Sequence, residues 1–247
     1  MTTPILQRGL PYDASAPRPL PGVQPLDPAA WLCVDEAYGA QMAERDRLLA
    51  ARPGDVLALD AGAAPAAAEL LEMVLHQLAA RDDFTVAGDR VRRPDGAWVT
   101  VDRDAPLRTL GRLVQEDFCL MERRPGSDEH LLTGAVLCFP ASWRLSEKFM
   151  RPMLAIHAPV DVYDADLARR VQRLLDGIRP GRPLWRFNAL GYDDPALHQP
   201  RGAPVADPAR RARDAAPFLR SERQCLVRQP RSGAVAFSIH TYVVARG

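Results

Sequence analysis

Apolar side chains recur at helical spacing in some stretches of the chain and alternate in others, and this division predicts most of its elements. Tyr38, Met42, Arg45 and Leu49 give residues 35–51 a helical face, stopped by Pro53-Gly54. A second helix is predicted from about Pro65 to Arg81, because proline suits a first turn and Leu70, Leu71, Val74, Leu75 and Leu78 form a continuous stripe. His76 falls beside that stripe and is read as a partly exposed helix residue. Phe84–Val86, Arg90–Arg93 and Trp98–Val101 are short β-prone pieces divided by Gly88-Asp89 and Pro94-Asp95-Gly96, where glycine supplies the positive φ of a turn.

Leu110, Leu113, Val114, Phe118 and Leu120 suggest one helix from Leu107 to Met121, ending near Glu122. On it Glu116 and Asp117 would face different directions and make a poor carboxylate dyad. Leu131–Phe139 is apolar on both faces apart from Thr133, as in a strand covered on both sides, and Gly134 would let a helix or a flat ligand approach closely. Pro159 biases Ala158 towards extended backbone, which puts His157 in a short non-helical link. A helix is then predicted from Asp164 to Gly177, with Leu167, Val171, Leu174 and Leu175 on one face. Leu184–Leu190 reads as a strand carrying Trp185, Arg186 and Asn188.

Residues 192–217 form a long loop without apolar period, either mobile or functional. Two alternating strands close the chain. In Phe218–Gln229 the residues Arg220, Glu222 and Gln224 share one face, and Ser221, Arg223 and Cys225 the other. Ala234–Val244 returns with Val235, Phe237, Ile239 and Val243 on an apolar face. Its second face, Ala234, Ala236, Ser238, His240 and Tyr242, leaves room for something flat. Helices beside an antiparallel sheet make an α+β fold. Residues 1–30 read as a proline-rich arm lying over the surface or partly disordered, and residues 31–247 as a single domain.

Composition narrows the function classes. The chain has 247 residues, is 47% apolar and carries a net charge of +1, which excludes a nucleic-acid binder working by bulk charge. Without a basic start followed by an apolar run, or a segment long enough to span a bilayer, a soluble cytoplasmic protein without membrane attachment is expected. The four cysteines are scattered with no C-x-x-C pair, so no zinc knuckle or iron–sulfur pattern is encoded, and they read as buried thiols. No glycine-rich dinucleotide loop is present either.

Three places carry candidate chemistry. His157 can offer one ring nitrogen to a ligand, or be a core histidine with both nitrogens hydrogen-bonded. Lys148 is the single lysine of the chain, which marks either a site needing a compact ammonium or a surface accident. The charged strand with Arg220, Glu222, Arg223 and Gln224 is either an exposed sheet edge or a wall where arginines grip ligand carboxylates.

Val114-Gln115-Glu116-Asp117, Cys138-Phe139-Pro140-x-x-Trp143, Glu147-Lys148, Ile156-His157-x-Pro159-Val160, Arg186-x-Asn188 and Arg220-x-Glu222-Arg223-Gln224 occur in an order that resembles the α subunits of haem-dependent oxidative N-demethylases. The resemblance runs from about Trp31 to Tyr242. It implies a PAS-like antiparallel sheet with flanking helices and an N-terminal helical extension. It also implies oxidative demethylation of a small secondary amine such as dimethylamine, with O2 activated at haem. The haem would be haem b held without a covalent link, since C-x-x-C-H is missing. Electrons would come from NADPH through FMN and 2Fe-2S centres on separate reductase subunits, and the one-carbon unit would pass to a tetrahydrofolate-linked partner.

Carried onto this chain, the resemblance makes His157 the axial iron ligand and places Trp143 beside the cofactor. Arg220, Arg223 or Arg186 would meet the haem propionates, with Glu222 anchoring the amine and Lys148 beside it as the second catalytic group. The chain departs from the pattern at Phe149-Met150, where glycine commonly follows the lysine, at Asp161 for proline, and at Ala189 for tryptophan. A haem-binding sensor or carrier without turnover is the alternative, because one scaffold can host either.

Overall fold

The computed structural model of the protein describes residues 3–15, 21–157, 165–201, 210–211 and 215–246. In chain order the strands are β1 (Gln24–Pro25), β2 (Leu57–Leu59), β3 (Thr85–Ala87), β4 (Arg90–Arg92), β5 (Trp98–Thr100), β6 (Asp117–Arg123), β7 (His130–Val136), β8 (Leu184–Tyr192), β9 (Arg210–Arg211), β10 (Phe218–Arg228) and β11 (Val235–Ala245). The helices are α1 (Tyr38–Ala51), α2 (Pro53–Val56), α3 (Ala64–Ala79), α4 (Pro106–Leu113), α5 (Leu145–Lys148), α6 (Met153–His157) and α7 (Ala165–Gly177).

The main sheet is antiparallel, in the order β1-β8-β10-β11-β6-β7-β2, with β9 beside β8, and β3-β4-β5 form a separate meander. This is the α+β class the pattern predicts. Glycines 88 and 96 take positive φ at the meander turns, as their sequence context requires.

Each face of the sheet has its own cover. Phe118, Leu120, Val136, Cys225, Val227 and Ala236 pack with Trp31 and the apolar faces of α1, α3 and α4. On the other side Cys119, Met121, Ala135, Leu226 and Ile239 pack with Leu145 of α5, Ile156 of α6 and Leu175 of α7. We refer to these as the α1 side and the α7 side.

The predicted helix over 107–121 is two elements. α4 ends at Leu113, and Asp117 opens β6, with Phe118 and Leu120 on the α1 side and Cys119 and Met121 on the α7 side. The break is fixed by Arg45 of α1, which is fully buried. Its guanidinium donates to the carbonyls of Gly111, Gln115 and Glu116 and meets Asp117 Oδ1 at 2.7 Å. Asp117 in turn accepts from the N–H groups of Cys138 and Phe139. A buried pair so fully hydrogen-bonded holds the end of α4, the start of β6 and the end of β7 together.

Gly134 is close-packed as expected, but by side chains of the protein itself. A Cβ there would meet Leu59 at 2.9 Å and Leu120 at 3.2 Å. The small-residue face of β11 is filled in the same way: Trp31 covers it, its Nε1 donating to Ser238 Oγ at 3.0 Å.

The N-terminal segment lies against the sheet rather than loosely over it. β6 pairs with β11 only as far as Ile239. Beyond that point Gln7 stands beside β11: its N–H donates to Val243 O, its Oε1 accepts from Val243 N–H and its Nε2 donates to Thr241 O. Tyr12 stacks on Phe187 with centroids 4.6 Å apart and bonds Ser221 Oγ at 2.8 Å.

Candidate functional site

The α7 side of β8 and β10 carries a polar patch in the middle of an otherwise apolar floor. Register places Asn188 opposite Glu222 and Arg186 opposite Gln224, so alternation turns all four side chains to one face. Glu222 Oε2 accepts from Asn188 Nδ2 at 2.9 Å and from Gln224 Nε2 at 3.0 Å, while Gln224 Oε1 accepts from Arg186 at 3.2 Å. Glu222, Gln224 and Leu226 each keep 9% of their surface accessible, whereas Ser221 on the reverse face keeps none. Arg186 Nε is buried on the α7 side without a hydrogen-bond partner among the described residues, and burial lowers the pKa of its guanidinium against the pull of Glu222.

Lys148, the last residue of α5, enters the same region. Its Nζ sits over the Trp143 ring, 4.3 Å from the centroid. Burial pushes its pKa down to about 8, against the pull of Glu222 and Glu147. A lysine so placed exchanges a proton near neutral pH, which an exposed one does not. Phe149 and Met153 pack with Phe237, Leu184 and Ile239 in the apolar cluster on this side.

The other sequence-predicted residues go elsewhere. Arg223 points to the α1 side, where it donates to the carbonyls of Trp31 at 3.0 Å and Ala30 at 2.6 Å and lies over the Trp185 ring. Arg220 is on the Glu222 face, and its two terminal nitrogens go to backbone, donating to Phe139 O at 2.7 Å and to Leu197 O at 3.0 Å, while its Nε is buried without a partner among the described residues. His157 is the last residue of α6 rather than part of a non-helical link. The bias imposed by Pro159 acts on residue 158, so one helical turn after Pro152 can run through His157, and Ile156 N–H bonds Pro152 O at 3.0 Å. The motif residues 158–161 and the predicted helix start at 164 lie outside the described residues.

A cavity of about 290 Å³ opens at the far end of this face, lined by Glu122, Arg123, His130, Asp176 and Arg228. Arg228 is six residues along β10 from Glu222, roughly 20 Å away. The acids and bases there satisfy one another, as in Arg123–Asp176 at 3.5 Å and His130–Gln172 at 2.6 Å, so this recess is a solvated notch.

One polar cluster escaped the sequence reading. On the α1 side, fully buried His240 of β11 meets Asp35 Oδ2 through Nε2 at 3.0 Å and Glu116 Oε1 through Nδ1 at 3.1 Å. Burial alone would lower its pKa, but these two hydrogen bonds outweigh it and raise it to about 10. The same contacts bring Asp35 down to about 2. The helix assigned over Glu116 concealed this meeting; the alternation of Phe118 and Leu120 was the signal that could have exposed it.

The described helices include none long and apolar enough to cross a membrane. A family model described as "Haem-dependent oxidative N-demethylase, alpha subunit-like" matches residues 22–245. At the level of the family this brings haem dependence, oxidative N-demethylation and a setting among other subunits. Matched over almost its whole length, the chain belongs to the haem-dependent oxidative N-demethylase α-subunit-like family.

Proposed function

We propose that the α7 side of the sheet binds haem b non-covalently and oxidatively demethylates a small secondary amine of the dimethylamine type. The residues present fit such a group. An apolar floor of Phe237, Ile239, Leu226 and Leu184 suits a flat macrocycle, and the partnerless Arg186 Nε is a buried donor in want of an anion. Arg186 would hold a propionate: Arg223 donates on the α1 side, and both terminal nitrogens of Arg220 donate to backbone carbonyls, which leaves it only its buried Nε. Trp143 and Phe149 would pack against the haem, and His157, at the end of α6, would supply an imidazole ligand to its iron.

When bound, haem supplies oxygen activation and the oxidation of an N-methyl group, with electrons from a separate reductase carrying FMN and 2Fe-2S centres and fed by NADPH. The chain's own residues position the amine and its protons. Glu222, held rigid by Asn188 and Gln224, presents a carboxylate to a dialkylammonium, and its Oε1 remains available for a charge-assisted hydrogen bond. Lys148, within electrostatic reach of Glu222 and with its pKa lowered by burial, can take a proton from the bound ammonium or return one to the reacting centre. The released one-carbon unit leaves for a tetrahydrofolate-linked partner.

The observation that carries the reading is Glu222, fixed by two amides on a buried sheet face within electrostatic reach of Lys148. Hemin titration of the purified chain, followed by dimethylamine, tests it. One equivalent of haem should bind, with a Soret band that dimethylamine shifts. Glu222→Gln should keep the band and lose the shift, and His157→Ala should lose or alter the band. A chain that takes up no hemin overturns the reading. Haem uptake without amine-dependent oxygen consumption under an artificial reductant would leave a sensor or carrier instead.

A further inference from the structure

Three segments far apart in sequence bring Cys33, Glu116 and His240 together on the α1 side, across the sheet from the proposed haem face. One ligand-type atom from each lies within 4.8 Å of the others, and Cys33 is a free thiol. His240 Nδ1 meets Glu116 Oε1 and the Cys33 side chain bonds Tyr242, contacts that an ion would replace, while the surrounding backbone holds the three in place. Cys33 N–H donates to Glu116 Oε1 at 2.8 Å, and the carbonyls of Ala30 and Trp31 just before it are gripped by Arg223. The Trp31 indole is tied to Ser238, two residues from His240 on β11.

Asp35 orients the imidazole from the far side, accepting from His240 Nε2, and is itself held by Gln7 at 3.0 Å and Gln115 at 2.8 Å. A carboxylate on one ring nitrogen is the outer arrangement of metal-binding histidines, and here a second carboxylate meets the other nitrogen and a thiol lies close to the ring. A further observation points to a ligand. Glu116 is 1% exposed, yet its Oε2 is buried with no hydrogen-bond partner among the described residues. A buried polar atom left without a partner is costly, and a ligand at this oxygen would remove the cost. Cys33 is only partly buried, which leaves an approach from solvent.

We propose that Cys33 Sγ, Glu116 and His240 Nδ1 bind one divalent ion of the zinc class, with Asp35 as the orienting carboxylate. Sulfur, nitrogen and carboxylate donors in a set of three suit zinc, leaving a fourth position for water. Binding exchanges the metal for two protons, one from the Cys33 thiol and one from His240 Nδ1, and both go to solvent. The ion would clasp the N-terminal segment to β11 and the start of β6. This site stands apart from the haem reading and does not depend on it.

The test uses the full chain, haem-free, stripped with chelator under reducing conditions and titrated with Co2+ and then Zn2+. One equivalent of Co2+ should bind with a thiolate-to-cobalt charge-transfer band in the near ultraviolet, release about two protons, and be displaced by Zn2+. Zinc should also raise the melting temperature. Cys33→Ser should lose the charge-transfer band while retaining the far-ultraviolet circular dichroism of the parent, and Glu116→Gln should weaken binding at least tenfold. Absence of saturable binding near one equivalent, a cobalt spectrum without the thiolate band, or unchanged binding in both variants would overturn the proposal. Haem uptake is scored separately, so a failure of either site does not obscure the other.

Discussion

Glu222 and Arg223 are neighbours in the chain and serve opposite sides of one sheet. Glu222 accepts from Asn188 and Gln224 on the α7 side, while Arg223 reaches the Trp31 and Ala30 carbonyls on the α1 side. Strand alternation alone imposes this split, so the charged motif Arg220-x-Glu222-Arg223-Gln224 is two pieces of machinery interleaved. The carboxylate is free to face a ligand; the following arginine fastens the N-terminal segment.

That division separates the arginines by experiment. Arg186→Leu is expected to speed haem loss to an acceptor protein about tenfold or more, the value of a charge-assisted hydrogen bond. Arg223→Leu should leave haem loss unchanged but lower stability by about 2–3 kcal/mol in urea unfolding, having lost two bonds to buried carbonyls. Equal effects of both variants on haem retention would refute the assignment of faces to roles.

For Glu222→Gln, the loss of an anionic partner for the amine should raise KM for dimethylamine by roughly 10- to 100-fold. Size and both amide contacts are nearly conserved, so the melting temperature should move little. Steady-state oxygen consumption at several amine concentrations reads the effect.

Lys148 gives a pH signature. Its folded pKa, about 8, lies below the ordinary lysine value of 10.5, so between those two the unfolded chain holds a proton that the folded chain has released. Stability should therefore rise with pH across that window, and the contribution should be flat below about pH 8. Lys148→Met should remove this part of the slope in urea midpoints measured from pH 8 to 10, and an unchanged slope would mean Lys148 titrates normally.

Arg45→Met should be among the most damaging single changes away from the site. It leaves the buried Asp117 carboxylate without its cation and costs about 3–5 kcal/mol. Adding Asp117→Leu should not restore the loss in full, because the N–H groups of Cys138 and Phe139 then lose their acceptor. Chemical unfolding of the single and double variants measures both.

Much of the fold was legible because periodicity reports which face a residue buries. The stripe of Leu70, Leu71, Val74, Leu75 and Leu78 specified α3, and alternation over 218–244 specified the β10–β11 hairpin. The stretch 107–121 misled because apolar residues of α4 and of β6 together mimic one helical stripe. What divides them is Arg45, 66 residues away from the Gly111 carbonyl it binds.

The site divided in the same way. Which side Glu222 faces followed from counting by two, and its amide partners came from register with β8. The stacking of Lys148 on Trp143 and the meeting of Asp35, Glu116 and His240 depend on segments joined only by the tertiary fold, and no local pattern encodes them. His157 illustrates a smaller limit: a proline constrains its immediate predecessor, and one residue further back a helical turn is permitted.

Gln7 uses a side-chain amide to imitate a strand's backbone at the stretch of β11 that β6 leaves uncovered. A half-open ladder of this kind is a template for another chain. A protein shortened past its first dozen residues should thus become sticky towards its own kind, forming dimers or larger assemblies that grow with concentration, even with its chromophore chemistry intact.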